Sequence, residues 1–169
     1  ALVVGGAGLT GLAAQFAFTT PLSPVPFTLQ TFSVLVVGAA LGTKRGIASM
    51  ALYLVAGVAG MPWFSEASSG WSMPSFGYIL GFIVAAGVVG AMARRGADRT
   101  VASTVAMMVA GSLIVYAIGT TWLAVDLGVS ASKAFSLGVW PFLGSDAVKI
   151  AVASVAFPTA WRFANRSER

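Results

Sequence analysis

The stretch FGYILGFIVAAGVVGAMA occupies residues 76–93, contains no charged side chain, and is followed directly by Arg94 and Arg95. A helix needs about 20 apolar residues to cross the hydrocarbon core of a bilayer, so this run is nearly long enough by itself. The whole chain has the same character, because 57% of its 169 residues are hydrophobic and only 9% are charged. A soluble domain carries about 25% charged residues. The composition therefore predicts an integral membrane protein.

The composition also excludes several classes of protein. The chain has no Cys and no His, which excludes disulfides, Cys/His zinc sites and catalytic triads that contain His. It contains no Walker A sequence, so it does not hydrolyse ATP through a P-loop. The formal net charge of +5 does not indicate nucleic-acid binding, because the basic residues flank apolar segments.

Apolar runs separated by charges, prolines or polar clusters predict six membrane-spanning helices. They cover residues 1–19, 27–41, 46–61, 76–93, 101–125 and 139–163. We therefore expect an all-α fold, a six-transmembrane-helix bundle that forms a single domain over residues 1–169. The proline-rich segment 20–26 leaves two alternatives open: a tight surface connection, or a loop that dips into the bundle.

The basic residues predict the orientation of this bundle. Eight of the ten lie in three places on one side of a six-span protein: Lys44, Arg45, Arg94, Arg95, Arg99, Arg162, Arg166 and Arg169. The positive-inside rule makes that side cytoplasmic, together with both termini. Most Trp residues lie at the opposite ends of the spans, as in an interfacial aromatic belt. Trp71, in a long outer loop, is also a candidate wall or lid for an external ligand.

The stretch WPFLGSDAVKI, residues 140–150, places two ionisable residues, Asp146 and Lys149, inside the last span. Their i, i+3 spacing puts both on one helical face. Because either charge alone is costly in a membrane, the two compensate each other or bind a polar ligand. One interpretation is an ion pair that locks the span to its neighbours. The other is a site where Asp146 accepts N–H groups and Lys149 donates to a carbonyl or carboxylate, as a urea-like group requires.

Other side chains at the outer depth of Asp146 are weaker candidates for the same site, since each could equally pack within the bundle. They are Phe27, Thr28, Gln30, Ser75 and Tyr78. The first span is dense in small residues, with the small-xxx-small pairs Ala7/Gly11 and Ala13/Ala17. Such pairs let another helix approach closely. They indicate packing inside the bundle or a docking surface for a separate membrane subunit.

Several short motifs occur in order along spans 2 to 6. They are PVPFTLQ at residues 24–30, LGTKRG at 41–46, LYL at 52–54, GYILGF at 77–82, and WPFL at 140–143 with Asp146 and Lys149. In this combination the sequence resembles the BioY family, the biotin-specific substrate-capture (S) components of energy-coupling-factor (ECF) transporters. The resemblance implies a multi-pass protein of the bacterial cell membrane that captures biotin from outside.

The resemblance also implies partners and residue roles. The partners are a transmembrane coupling (T) subunit and two ABC-type ATPases, with no metal, prosthetic cofactor or nucleic acid. Asp146 and Lys149 would contact the ureido ring of biotin, Tyr78 would line the pocket, and the loop 24–30 would close over the ligand. We predict as substrate-binding residues Asp146, Lys149, Tyr78, Gln30, Thr28, Phe27, Ser75 and Trp71, and as partner-docking residues Ala7, Gly11, Ala13 and Ala17.

Three other functions remain open at this point. The first is an S component or small permease for another polar vitamin, which would share the architecture and differ in pocket chemistry. The second is an intramembrane enzyme that uses Asp146 and Lys149 as acid and base, although the chain lacks His and Cys. The third is a structural membrane subunit, for which removal of the Asp146 charge would change no ligand interaction.

Overall fold

The fold is mostly helical, and four of its helical segments are long and apolar enough to cross a membrane. The computed structural model describes residues 1–166, without the side chains of 164–166, so Arg169 and the Arg166 side chain lie outside the described part. The elements are α1 (Leu2–Gln15), β1 (Ala17–Thr20), β2 (Ser23–Thr28), α2 (Gln30–Val58), α3 (Phe76–Arg94), α4 (Val101–Leu127), α5 (Ala131–Gly138) and α6 (Leu143–Arg166), with 3₁₀ turns at Ser65–Ala67 and Trp140–Phe142.

Helix α2 reverses direction at Gly42, which has φ 74° and ψ 177°. Gln30 donates a hydrogen bond to the Tyr53 hydroxyl at 2.7 Å, whereas 23 residues of straight helix would separate them by about 34 Å. A Cβ built on Gly46 would lie 3.2 Å from the Cα of Gly38. Residues 30–41 and 43–58 therefore run side by side as two passes of one helical hairpin.

This reversal corrects the predicted helix count. We expected separate spans at 27–41 and 46–61 joined by a loop, and hence six distinct long helices. Within residues 1–166 the structure has five long helices, α1, α2, α3, α4 and α6, and the prediction of a loop at 42–45 was wrong. The physical reason is that Gly has no Cβ, so one residue at positive φ turns the chain where other residues would need a loop.

The segment between α1 and α2 corrects the all-α prediction. The span predicted for 1–19 ends at Gln15, and the chain continues into an antiparallel β-hairpin in which Phe18 pairs with Phe27 and Thr20 with Ser23. Ser23 and Val25 are buried, whereas Pro24 between them is exposed. Since alternate side chains of a strand face opposite ways, one face of β2 packs into the bundle. The proline-rich segment therefore dips inward.

Small residues bring the helices into close contact. A Cβ on Gly38 would lie 2.7 Å from the carbonyl oxygen of Ala86 in α3, and one on Gly90 would lie 2.5 Å from the backbone nitrogen of Thr43. Both distances are shorter than real Cβ contacts allow. Helix α3 therefore lies against the backbone of the α2 hairpin at two levels, as small residues permit in membrane bundles.

Two of the four small residues predicted to dock a partner, Ala7 and Gly11, are buried inside the bundle. Ala7 is fully buried, and a Cβ on Gly11 would lie 3.2 Å from the Trp63 ring. Both residues pack inside the bundle, so their assignment to partner docking was wrong. Ala17 lies on β1 rather than on the helix, and Ala13 is half-buried. A docking role for Ala13 and Ala17 stays a prediction.

The two ends of the bundle differ in chemistry. Arg94 at the end of α3 donates to the Thr43 hydroxyl at 2.8 Å, beside the Gly42 turn. Arg99 lies over the ring of Trp161 in α6, 5.1 Å from its centroid. We call this end, formed by the Gly42 turn, residues 94–100 and the region of Trp161, the basic end. The β-hairpin and the 3₁₀ turns lie at the other end, which we call the hairpin end.

We expect Gly90→Ala to lower the thermal unfolding midpoint of the protein in detergent, because the new methyl group would meet backbone atoms that cannot move aside. The expected loss of stability is about 1–3 kcal/mol, the usual cost of overpacking. Gly5→Ala is the matched control, since Gly5 also lies in a helix and has nothing within 4 Å of a Cβ. Equal midpoints for the two variants would contradict the close packing of α3 on α2.

Candidate functional site

A narrow cavity of about 40 Å³ lies near the hairpin end, between β2 and helices α2, α3, α4 and α6. Most of its wall is apolar, and a small number of polar groups converge on one side. The lining side chains are Val25, Pro26, Thr28, Gln30, Thr31, Ser65, Ser75, Tyr78, Ile79, Phe82, Tyr116, Phe142, Asp146 and Lys149. An apolar enclosure with few convergent polar groups is typical of a small-molecule site.

The polar side of the cavity is centred on Asp146 in the first turns of α6. Its Oδ1 accepts a hydrogen bond from Lys149 Nζ at 2.9 Å, and its Oδ2 accepts one from the Tyr116 hydroxyl of α4 at 2.5 Å. Lys149 also donates to Thr31 Oγ1 of α2 at 2.9 Å. The i, i+3 spacing creates the pair within α6, and contacts from two other helices hold it in place.

This arrangement compensates the charges without using all of their hydrogen-bonding capacity. The side chains of Lys149 and Asp146 are only 15% and 10% exposed, and an unpaired charge at such a position would be strongly destabilising. An ionised carboxylate accepts about four hydrogen bonds and an ammonium group donates three. Two acceptor positions on Asp146 and one proton on Lys149 therefore remain for a ligand.

Gln30 and Thr28 lie beside this pair but bind mainly to protein groups. The Gln30 amide donates to the Tyr53 hydroxyl at 2.7 Å, and its Oε1 accepts from the Thr28 hydroxyl at 3.1 Å. Tyr53 in turn donates to the carbonyl of Trp63 at 3.1 Å. The amide group of Gln30 is thus fixed by the loop that follows α2, so its contact with a ligand stays a prediction.

Tyr78 and Ser75 line the cavity at the start of α3. The Tyr78 hydroxyl donates to the carbonyl of Gly138 at 2.8 Å, which ties α3 to the end of α5. A Cβ on Gly138 would lie 2.1 Å from that hydroxyl oxygen, so only Gly leaves room for it. Tyr78 therefore lines the cavity while its hydroxyl is used in a hydrogen bond between α3 and α5.

Phe27 and Trp71, both predicted as binding residues, do not line the cavity. The Phe27 ring stacks on Phe142 at 4.3 Å between centroids and on Phe18 at 5.0 Å. Phe142 does line the cavity, so this stack joins the β-hairpin to the wall of the cavity. Trp71 is 62% exposed, and the structure does not bring it to the pair of Asp146 and Lys149.

Sequence reasoning missed several residues of the cavity. Thr31 follows the PVPFTLQ motif directly, and Tyr116 is a polar aromatic residue in the middle of an apolar span. Both residues stand out in the sequence, but the sequence does not show which residues they bond to. Tyr116 is 30 residues from its partner Asp146, and Thr31 is 118 residues from its partner Lys149. Ser65 lies in an irregular outer loop and has no distinguishing pattern. Within residues 1–166, the structure has no group of three His, Cys, Asp or Glu side chains suited to a metal ion.

Known proteins that resemble this chain share both its sequence and its fold. The sequence profile of the BioY family matches residues 1–166. The probable biotin transporter BioY of Pyrococcus horikoshii is 39% identical over 150 residues, covering 87% of this chain and 86% of that protein. The biotin transporter BioY of Thermotoga maritima is 38% identical over 138 residues and 80% of each chain.

A solved structure matches the fold at lower sequence identity. It is the S-component for biotin from an ECF-type ABC transporter, with a TM-score of 0.82 and 17% identity. The match covers 95% of this chain and 88% of that one. Because the profile match extends over almost the whole chain and includes the Asp146 and Lys149 region, the chain belongs to the BioY family.

Proposed function

We propose that this protein captures biotin at the outer face of the membrane as the S component of an ECF transporter. The observation that carries the proposal is the buried pair of Asp146 and Lys149, which keeps unused acceptors and a donor in an otherwise apolar cavity. The ureido ring of biotin has two N–H groups beside one carbonyl. Asp146 accepts from the N–H groups, Lys149 donates to the carbonyl, and the apolar wall covers the remainder of the ring system.

Binding requires the cavity to open. The volume of about 40 Å³ has room for only a few water molecules, since a cavity needs about 10–15 Å³ on this measure to hold one, and a bicyclic ligand needs far more. The β-hairpin forms one wall and is joined to α6 by the stack of Phe27 on Phe142. Separation of these two rings admits the ligand, and their contact closes the site over it. Ser75 lines the cavity, and a role for Trp71 in covering the ligand stays a prediction.

The topology that fits this role has six crossings with both termini in the cytoplasm of a bacterial cell. The reversal at Gly42 makes α2 two crossings, and α1, α3, α4 and α6 supply one each. The contacts of Arg94 with Thr43 and of Arg99 with Trp161 support a common side for the three basic segments. The positive-inside rule assigns that side to the cytoplasm.

The energy for uptake comes from other subunits. The chain has no Walker A sequence, and capture alone does not release a tightly bound ligand inward. A transmembrane coupling subunit and two ABC-type ATPases supply the ATP-driven step, with biotin as substrate and no resident cofactor in this chain.

A structural lock is the second candidate role of the pair. The bond from Lys149 to Thr31 favours it, because that bond ties α6 to α2 whether or not a ligand is present.

Asp146→Asn and Lys149→Ala test the binding role directly. We expect each variant to bind labelled biotin at least about tenfold more weakly than wild type, because a hydrogen bond to a charged group contributes about 1.5–3 kcal/mol. Equilibrium binding to the purified protein in detergent measures this, and thermal unfolding checks that each variant is folded. A panel of other labelled vitamins serves as the specificity control.

Two results would contradict the proposal in different ways. If the wild-type protein binds another vitamin but not biotin, the proposed substrate is wrong. An Asp146→Asn variant that binds biotin as wild type does, with a lower unfolding midpoint, would leave the pair as a structural lock.

Tyr116→Phe tests whether the position of Asp146 matters. Loss of the hydroxyl frees Oδ2 of Asp146, and we expect biotin affinity to fall about fivefold to tenfold, the equivalent of about 1 kcal/mol or slightly more. Tyr78→Phe is the matched control, because its hydroxyl bonds to the Gly138 carbonyl rather than to Asp146. Equal losses in the two variants would assign the effect to packing and not to the carboxylate.

The topology is tested by single cysteines, since the chain has no native Cys. With a membrane-impermeant thiol reagent on intact cells, we expect labelling of Ser132→Cys in α5 and none of Lys44→Cys beside the Gly42 turn. Permeabilised cells should label both positions. The reverse pattern on intact cells would overturn the orientation.

A further inference from the structure

A second cavity, of about 350 Å³, lies at the basic end of the bundle. It opens between residues 30–41, the turn from α3 to α4, and the second half of α6, and it shares no residue with the cavity at Asp146. Its walls are Ala39, Ala40, Asp98, Phe157, Ala160 and Trp161. We call it the Asp98 groove.

Among the described residues of this wall, Asp98 is the only charged one, and its carboxylate is incompletely paired. The residue is 7% exposed, and its Oδ2 accepts a hydrogen bond from Trp161 Nε1 at 2.7 Å. Its Oδ1 is buried and has no hydrogen-bond partner among the described residues. A carboxylate oxygen in this state retains a strong tendency to accept a proton donor, because it has lost its water without replacement.

The neighbouring basic residues do not neutralise this carboxylate. Arg99 places its guanidinium over the Trp161 ring, and Arg94 donates to Thr43. Among the side chains that the structure describes, those of residues 1–163, no lysine or arginine forms an ion pair with Asp98. A cation that pairs with Asp98 therefore has to come from outside the described side chains.

The remaining walls indicate the form of that cation. The methyl groups of Ala39, Ala40 and Ala160 and the ring of Phe157 leave an apolar slot beside the carboxylate. Lysine and arginine side chains bury an apolar stem and keep a charged head at its tip, which matches a slot of this kind. The phosphate of a lipid headgroup or nucleotide is disfavoured, since it would meet a buried negative charge.

We propose that the Asp98 groove receives an arginine or lysine side chain of a partner protein at the cytoplasmic face. The inference rests on the proposed function, which requires the chain to dock with a coupling subunit that is associated with the ATPases. The basic side chain lies along the alanine wall and donates to Oδ1 of Asp98. Docking thus gives a hydrogen-bond donor to Oδ1 of Asp98, which has none in the isolated chain.

The test compares Asp98→Asn with wild type after co-expression with the coupling subunit and ATPases from the same genome. We expect at least about tenfold less complex to be recovered with the variant, because truncation of one partner of a buried charge pair strongly accelerates dissociation. Asp126→Asn is the matched control, since Asp126 is exposed at the end of α4. Biotin binding by each isolated variant should stay within twofold of wild type.

A second pair of variants keeps the test valid if loss of the Asp98 charge disturbs folding. Ala40→Leu fills the groove without touching the carboxylate, and Ala156→Leu adds the same side chain to an exposed position of α6 outside it. We expect only Ala40→Leu to prevent complex formation. In addition, a thiol reagent should label Ala160→Cys in the isolated protein and not in the complex.

Each contrary outcome has a distinct meaning. Full assembly by both Asp98→Asn and Ala40→Leu overturns the inference and leaves biotin capture untouched. Wild-type protein that binds biotin but joins no coupling subunit overturns it as well. Protection of Ala160→Cys by lipid vesicles alone would make a lipid the occupant instead of a protein. Loss of biotin binding in every variant and in wild type would contradict the proposed function, and complex formation would still decide the role of Asp98.

Discussion

An ion pair buried inside a membrane bundle needs hydrogen-bond partners for both of its charged groups. The helices around Asp146 and Lys149 are arranged to supply them. Asp146 and Lys149 lie one turn apart on α6, but their own helix supplies only the bond between them. Tyr116 from α4 and Thr31 from α2 complete the set, so three helices converge on one carboxylate and one ammonium group. The cavity of the protein forms where those helices meet, because packing around fixed polar groups leaves space that apolar side chains do not fill.

The β-hairpin packs against the same cavity at Asp146 and Lys149. Its inner face, with Val25, packs beside the cavity, and Phe27 stacks on Phe142 just before α6 begins. Pairing of the two strands supplies inter-strand backbone hydrogen bonds, which lowers the number of polar backbone groups left unpaired at membrane depth. A wall of this kind can move as a unit, whereas the helices around Asp146 are held by close backbone contacts such as that of Gly90 with Thr43. The hairpin end and the basic end are thus joined by closely packed helices.

Local patterns in the sequence predicted what depends on neighbouring residues. The apolar runs, the basic flanks and the i, i+3 spacing of Asp146 and Lys149 are all visible within one helix. The same reasoning was wrong where the backbone changes direction without an obvious loop. Gly42 alone reverses α2, and the SPVP part of the proline-rich segment pairs as a strand. Neither feature can be read from the neighbouring residues, because strand pairing and a helix reversal depend on what lies opposite in space. The assignment of Ala7 and Gly11 to partner docking failed for a related reason. A helix face of small residues indicates that another element packs closely against it, but it does not identify that element.

Composition and 3.6-residue periodicity are enough to establish that the chain belongs in a membrane, where its few charges lie, and which two of them share a helical face, since these properties are local. The groups that surround those charges are known from the folded structure alone. The partners of Asp146 and Lys149 come from distant helices, and Asp98 meets Trp161 across 63 residues. Such contacts follow from how the helices pack, and no pattern within a single segment encodes them.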